Sequence, residues 1–157
     1  MSAADGIGGV GRAAGDGWVE YALTTLGRAG FRRGGARSAV VEMLGRQSCA
    51  VTARDIDDGL RAEGRAVGRA SVYRALEQLV ELGLVSRVEV GQGMARFEPA
   101  HPGGEHHHHL VCERCGAVEP FEDPALERSI ARLADRVAFD VSEHDVVLRG
   151  ACRACRD

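Results

Sequence analysis

Apolar positions in the first ninety residues recur at helical spacing in four successive stretches. Trp18, Ala22, Leu23 and Leu26 share one face of a helix predicted over Trp18–Ala29, before Gly27 and Gly30 weaken it. Val40, Val41 and Leu44 line the inner side of a second, over about 36–44. A third opens at Thr52, because Thr52-x-x-Asp55 has the form of a capping box with Asp in place of Glu. Ile56 and Leu60 supply its apolar side and Gly64 ends it, while Asp57 and Asp58 read as solvated surface. In the fourth, Val72, Leu76, Leu79 and Val80 make the stripe, Ser71 caps or flanks the start, and Gly83 stands where a left-handed C-terminal residue is wanted.

The period then changes. LVSRVEV and MARFEP are short runs of strand-forming residues joined by Gly91-Gln92-Gly93, so they predict a hairpin. Two helices joined by a turn and followed by such a hairpin make a winged helix-turn-helix over 18–99, a module that reads DNA. Pro and Gly in 100–104 mark a linker. Beyond it, 105–157 predicts a small α/β unit with a helix near Asp123–Arg136, started by Asp123-Pro124 and burying Leu126, Ile130, Leu133 and Ala134. Two further strand-like runs follow, VAFDV and HDVVLRG. The expected fold class is α+β, with 1–17, containing six glycines, as a disordered tail.

Composition alters this picture mainly through charge. The chain of 157 residues has a formal net charge of −3, but it is unevenly spread. Arg28–Arg74 holds 10 Arg and 5 acids, net +5; Arg96–Asp157 holds 8 Arg and 12 acids, net −4. The basic half suits phosphates. No apolar run reaches the ~18 residues of a membrane span, and the N-terminus lacks the features of a signal peptide, so the cytoplasm is the expected location.

The candidate chemistry lies in the second half. Cys112-x-x-Cys115 and Cys152-x-x-Cys155 supply four thiolates, the number that closes a tetrahedral shell around structural Zn²⁺. A redox dithiol is the alternative, though neither pair opens a thioredoxin-like helix. His106–His109 precede the first pair, and on a strand His106 and His108 face one way while His107 and His109 face the other. One run can thus serve two sites, with Glu98, Glu127 and His144 as further donors; a solvent-facing imidazole patch is the plainer reading. Cys49 stands alone, as a small buried hydrophobe or a ligand. No nucleotide-binding glycine loop, HEXXH or catalytic triad frame appears, and a zinc hydrolase would lack a general base, so the chain is not expected to be an enzyme.

Taken together, GFRRGGARSAVVEML, SVYRALEQLVELGLV, Arg96-Phe97-Glu98, HHHHLVCERCG, Glu127, His144 and Cys152–Cys155 resemble the ferric uptake regulator family of metal-dependent transcriptional repressors, over roughly 18–157. The resemblance implies a winged helix joined to an α/β dimerisation domain, acting as a homodimer on palindromic operator DNA and not at a membrane. Two metals are implied: structural Zn²⁺ on the four cysteines and a regulatory divalent ion, Zn²⁺ or Fe²⁺. Glu98, His107 and His109 match the family's sensory site, and His106, His108, Glu127 and His144 match its second site.

At the sensory site the fourth donor departs from the pattern. Iron- and peroxide-type members often carry His where this chain has Ala50, with Cys49 beside it, and some zinc-type members have Asp where this chain has Ser86. Cys49, Glu89 or water remain as candidates, and zinc is the favoured sensed ion, with iron or peroxide sensing as the alternative. A metal-buffering protein that does not bind DNA is the reading from another class. On the DNA side the likeness gives Ser71 and Arg74 to phosphates and Tyr73 to sugar or a thymine methyl. Arg69, where many members are apolar, is either a phosphate or guanine contact or a solvated arginine. Arg37 matches a basic position at the entry to the second helix.

Overall fold

A computed structural model describes residues 15–91, 93–101 and 106–156. These divide into two compact units, one ending at His106 and one beginning at His107. The elements run α1 (Gly15–Arg28), α2 (Gly35–Gly45), β1 (Val51–Thr52), α3 (Ala53–Ala62), α4 (Arg69–Glu81), β2 (Val85–Glu89), β3 (Ala95–Pro99), β4 (His108–Cys112), β5 (Val118–Phe121), α5 (Pro124–Val137) and β6 (Val147–Gly150). Among the described residues no helix is long and apolar enough to cross a membrane.

In the N-terminal unit the predicted stripes meet. Trp18, Ala22 and Leu26 of α1, Val40, Val41 and Leu44 of α2, Ile56 and Leu60 of α3 and Val72, Leu76 and Leu79 of α4 form one buried cluster. α1 starts at Gly15, inside the segment expected as a tail; the rest of that segment, 1–14, lies outside the described residues. Entry to α2 runs through Gly34 and Gly35, both at positive φ (94° and 70°), a path that side chains resist. The N–H of Gly34 donates to Ser38 Oγ at 2.8 Å.

At α3 the capping box is complete. The Asp55 N–H donates to Thr52 Oγ1 at 3.1 Å, and the Thr52 N–H donates to Asp55 Oδ2 at 2.9 Å. Gly68, not Ser71, is the N-cap of α4, which frees the Ser71 hydroxyl from capping duty. Gly83 (φ 65°) closes α4 as expected: its N–H donates to the Val80 carbonyl, and the Leu84 N–H reaches back to that of Leu79.

The hairpin pairs β2 and β3 antiparallel, with Arg87 opposite Phe97 and Ser86 opposite Glu98. A two-residue strand, β1, adds to its other side, Val51 opposite Phe97. Two residues carry no alternation, so pattern reading passes over it. Trp18 Nε1 donates to the Ala100 carbonyl at 3.1 Å, tying α1 to the strand exit.

The C-terminal unit is a sheet of order β5-β4-β6 with α5. β4 pairs antiparallel with β5 and parallel with β6, Cys112 lying opposite Gly150. Asp123 caps α5, its Oδ1 accepting from Ala125 and Leu126. Two expectations change here. VAFDV is not a strand: Val137 ends α5, Ala138 turns left-handed, and 139–146 are irregular. No residue of α5 is buried, and Leu133, Val137, Phe139, Val141 and Leu148 are exposed, Phe139 by 68%.

Candidate metal centres and nucleic-acid interface

The parallel pairing of β4 with β6 carries Gly150 alongside Cys112, and the chain then delivers Cys152 two residues later and Cys155 five residues later. Tight turns then present each pair: the Gly116 N–H donates to the Cys112 carbonyl, and that of Cys155 to the Cys152 carbonyl. The four sulfurs lie within 4.8 Å of one another, and all are unbridged. Cys115 Sγ and Cys152 Sγ are 3.8 Å apart. A tetrahedron with Zn–S bonds of about 2.3 Å has an edge of about 3.8 Å, so the donor set fits Zn²⁺. The Cys152 N–H points at Cys112 Sγ (3.3 Å) and, with the Cys115 N–H, lowers that thiol to about 6. The neighbouring sulfurs of Cys152 and Cys115 push Cys155 up to about 12. Four sulfurs this close resist shared ionisation, and a dication removes the conflict.

The histidine run splits as alternation requires. His108 and His109 are buried at the start of β4. The rings of His107 and His109 stand 4.9 Å apart on one side. On the other, His108 Nε2 is 2.6 Å from Glu127 Oε1, and His144 Nε2 is 3.0 Å from Glu127 Oε2. Glu127 sits in the first turn of α5, so the Asp123 cap and the Pro124 start place its carboxylate between two imidazoles. These three are an N/O donor set of the kind that holds Zn²⁺, Fe²⁺ or Mn²⁺. His106 is exposed.

In the N-terminal unit, Cys49 Sγ and a Glu98 carboxylate oxygen lie within 4.8 Å. Pairing of β1 with β3 brings this about, since Cys49 is two residues before Val51 and Glu98 one residue after Phe97. Ala50 is buried, with its carbonyl accepting from Arg96 Nη1 at 3.3 Å, so the methyl fills core space where a donor was looked for. Of the other candidates, Glu89 pairs with Arg87 at 2.8 Å on the wing, and Ser86 lies opposite Glu98 across the hairpin.

Along α4, Val72, Ala75, Leu76 and Leu79 face the core, which leaves Arg69, Tyr73 and Arg74 outward; Tyr73 is 48% exposed. Arg74 Nη2 donates to Ser71 Oγ at 3.3 Å, so these two are held as a unit. Arg37 turns inward: it stacks over Phe31 (4.4 Å) and donates to Gln78 of α4, which makes it a brace between helices. Sequence reasoning missed Asp57. Placed on a solvated face by pattern, it is 1% exposed and pairs with Arg61 and Arg69. A carboxylate inside a polar run gives no signal of burial: the i,i+4 partner Arg61 fits an exposed helix face equally well, and Arg69 comes from the next helix.

The ferric uptake regulator family model matches residues 28–149. The ferric uptake regulation protein of Legionella pneumophila is 39% identical over 106 residues, spanning 68% of this chain and 76% of that protein. Among solved structures, the Vibrio cholerae ferric uptake regulator superposes with a TM-score of 0.74 at 31% identity, covering 82% of this chain and 98% of that one. A zinc uptake regulator complexed with zinc and DNA gives 0.55 at 26% identity, covering 87% and 91%. With a winged helix ahead of a sheet-and-helix unit that gathers four cysteines and, apart from them, His108, Glu127 and His144, the chain belongs to the ferric uptake regulator family, whose members are metal-responsive DNA-binding repressors and not enzymes.

Proposed function

We propose that this chain represses transcription of metal-homeostasis genes, binding palindromic operator DNA as a homodimer when a divalent ion, zinc in preference to iron, occupies a sensory site of Cys49, Glu98, His107 and His109. The observation that carries this reading is the pairing of donors within each unit: Cys49 with Glu98 in one, His107 with His109 in the other. An ion held by both pairs ties the units together and narrows the range of angles between them. In a dimer that sets two recognition helices about one helical turn apart, or a multiple of it. Linkage is reciprocal, so operator DNA tightens the metal.

The names of the relatives point both ways, the Legionella protein to iron and the DNA-bound structure to zinc, so the preference for zinc rests on the chemistry of the ligands. Three N/O donors and a thiolate suit a four-coordinate, borderline-soft ion. Iron has one observation in its favour, the all-N/O set of His108, Glu127 and His144, to which His106 adds by strand alternation. Structural Zn²⁺ on Cys112, Cys115, Cys152 and Cys155 holds the C-terminal unit. The exposed Leu133, Val137, Phe139, Val141 and Leu148 supply an apolar surface for a second copy. Ser71, Tyr73, Arg74 and Arg69 face the duplex.

Operator binding titrated with buffered Zn²⁺ and, anaerobically, buffered Fe²⁺ tests the reading. Zinc should activate wild type at the lower free concentration. Glu98→Ala, His107→Ala and Cys49→Ala should each weaken activation by tenfold or more, on the scale of about 1.4 kcal/mol per tenfold, while the cysteine-bound zinc stays. Activation by iron alone, or an unaffected Cys49→Ala, overturns the zinc assignment.

A further inference from the structure

Asp57 lies on α3 with its side chain 1% exposed. Its Oδ2 accepts from Arg69 Nε at 3.0 Å and stands 3.4 Å from Arg61 Nη2, and its Oδ1 has no hydrogen-bond partner among the described residues. A buried carboxylate pair is a poor source of stability compared with well-packed apolar side chains. What such a pair does supply is orientation. The two arginines differ in what they can reach: Arg61 lies one turn along α3 from Asp57, whereas Arg69 is the first residue of α4, the end from which recognition helices touch base edges. Among the described residues, Arg69 is held through Nε alone, and its side chain is 58% exposed.

We infer that Asp57 is a buttress for Arg69, holding its guanidinium so that the two Nη groups form a fork for O6 and N7 of a guanine in the operator major groove. The inference rests on the DNA-binding reading above. Bidentate pairing with guanine is the commonest specific arginine contact, and it is planar and directional. A guanidinium whose rotamer is set beforehand loses less freedom when it binds. A phosphate contact needs no such fixing, since a flexible arginine neutralises charge equally well and carries no sequence information. Arg69 therefore reads sequence, Asp57 is its positioning residue, and Ser71 and Arg74 hold the backbone.

Duplexes are selected from a random pool by the full-length wild-type dimer with buffered Zn²⁺, Mn²⁺ or Fe²⁺. If no operator is enriched, the DNA-binding reading falls and this inference with it. With an operator in hand, each guanine of a half-site is replaced in turn by 7-deazaguanine, which lacks the N7 acceptor. Wild type should lose roughly tenfold in affinity at one guanine per half-site. Arg69→Ala should be weaker on the unmodified operator, show no further loss at that guanine, and keep the wild-type salt slope. Arg69→Lys should not restore the penalty, and Asp57→Asn should shrink it while leaving the penalties at other guanines intact.

The penalty is a ratio between two duplexes for one protein, so a partly unfolded variant does not distort it. If Asp57→Asn fails to fold, Asp57→Ser takes its place, and a full wild-type penalty retained there overturns the buttress in the same way. Uniform weakening of all duplexes by Arg69→Ala with a shallower salt slope makes Arg69 a phosphate contact and overturns the inference, as does no change at all. A wild-type penalty retained in Asp57→Asn overturns the buttress.

Discussion

The two units are held together by different physics. In the N-terminal unit, side chains from four helices and the hairpin close on one apolar cluster from which water is excluded. In the C-terminal unit the buried residues, among those described, are His108, His109, Val111 and Cys112, three of them bearing metal-donor atoms, while Leu133, Val137, Phe139, Val141 and Leu148 are exposed. The contrast teaches where each unit's stability resides. The first is an ordinary hydrophobic core, worth ~25 cal/mol per Å² of apolar surface removed from water. The second closes no such core among the described residues, and we propose that an ion on the four cysteines and the surface of a second copy supply what it lacks.

Removing the ion should therefore break the comparison most sharply. Cys112→Ser takes one thiolate from the four, and apparent binding free energies of structural zinc run to about 10–16 kcal/mol. Zinc stoichiometry should fall by one per chain, and amide exchange should accelerate throughout β4, β5 and β6 while α2 and α4 stay protected. Full zinc retention with unchanged unfolding would refute the assignment.

Leu76→Ala should do the converse on a smaller scale. Leu76 is 1% exposed in the N-terminal cluster, and truncating such a side chain costs about 2–5 kcal/mol. Denaturant melts should show the helical transition shifted down and the zinc content unaltered.

The mildest contrast is in pH. The Cys112 thiol is lowered to about 6 in the metal-free chain, chiefly by the Cys152 N–H, so its thiolate favours the folded unit. For a depressed group that stabilisation is present above the ordinary thiol value of ~8.5 and is lost as pH falls through about 6. Metal-free protein should accordingly lose protection in the C-terminal sheet across that window, after correction for intrinsic exchange. The α2 and α4 amides should not follow it.

How much of this was open to a reader of the sequence depends on the range of the interactions involved. The Thr52 capping box, the Gly83 helix stop, the hairpin at 91–93 and the opposite faces of His107 and His108 all follow from residues within a few positions of one another. Each is a local consequence of backbone geometry or of strand and helix period, and each stands in the structure where the pattern puts it.

What escaped the pattern depended on pairings across long stretches of chain. β1 is too short to have a period and exists because β3, more than forty residues on, offers it hydrogen bonds. The same pairing sets Cys49 beside Glu98 and sends Ala50 into the core. Asp57 looked like surface until Arg69 of the next helix met it, and the stripe of α5, a sound amphipathic pattern, is nowhere fully buried among the described residues, with Leu126, Ile130 and Ala134 half-covered and Leu133 exposed. Periodicity says which side chains share a face. It is silent on what that face meets, because the free energy of burying it depends on partners that only folding, or a second molecule, brings near.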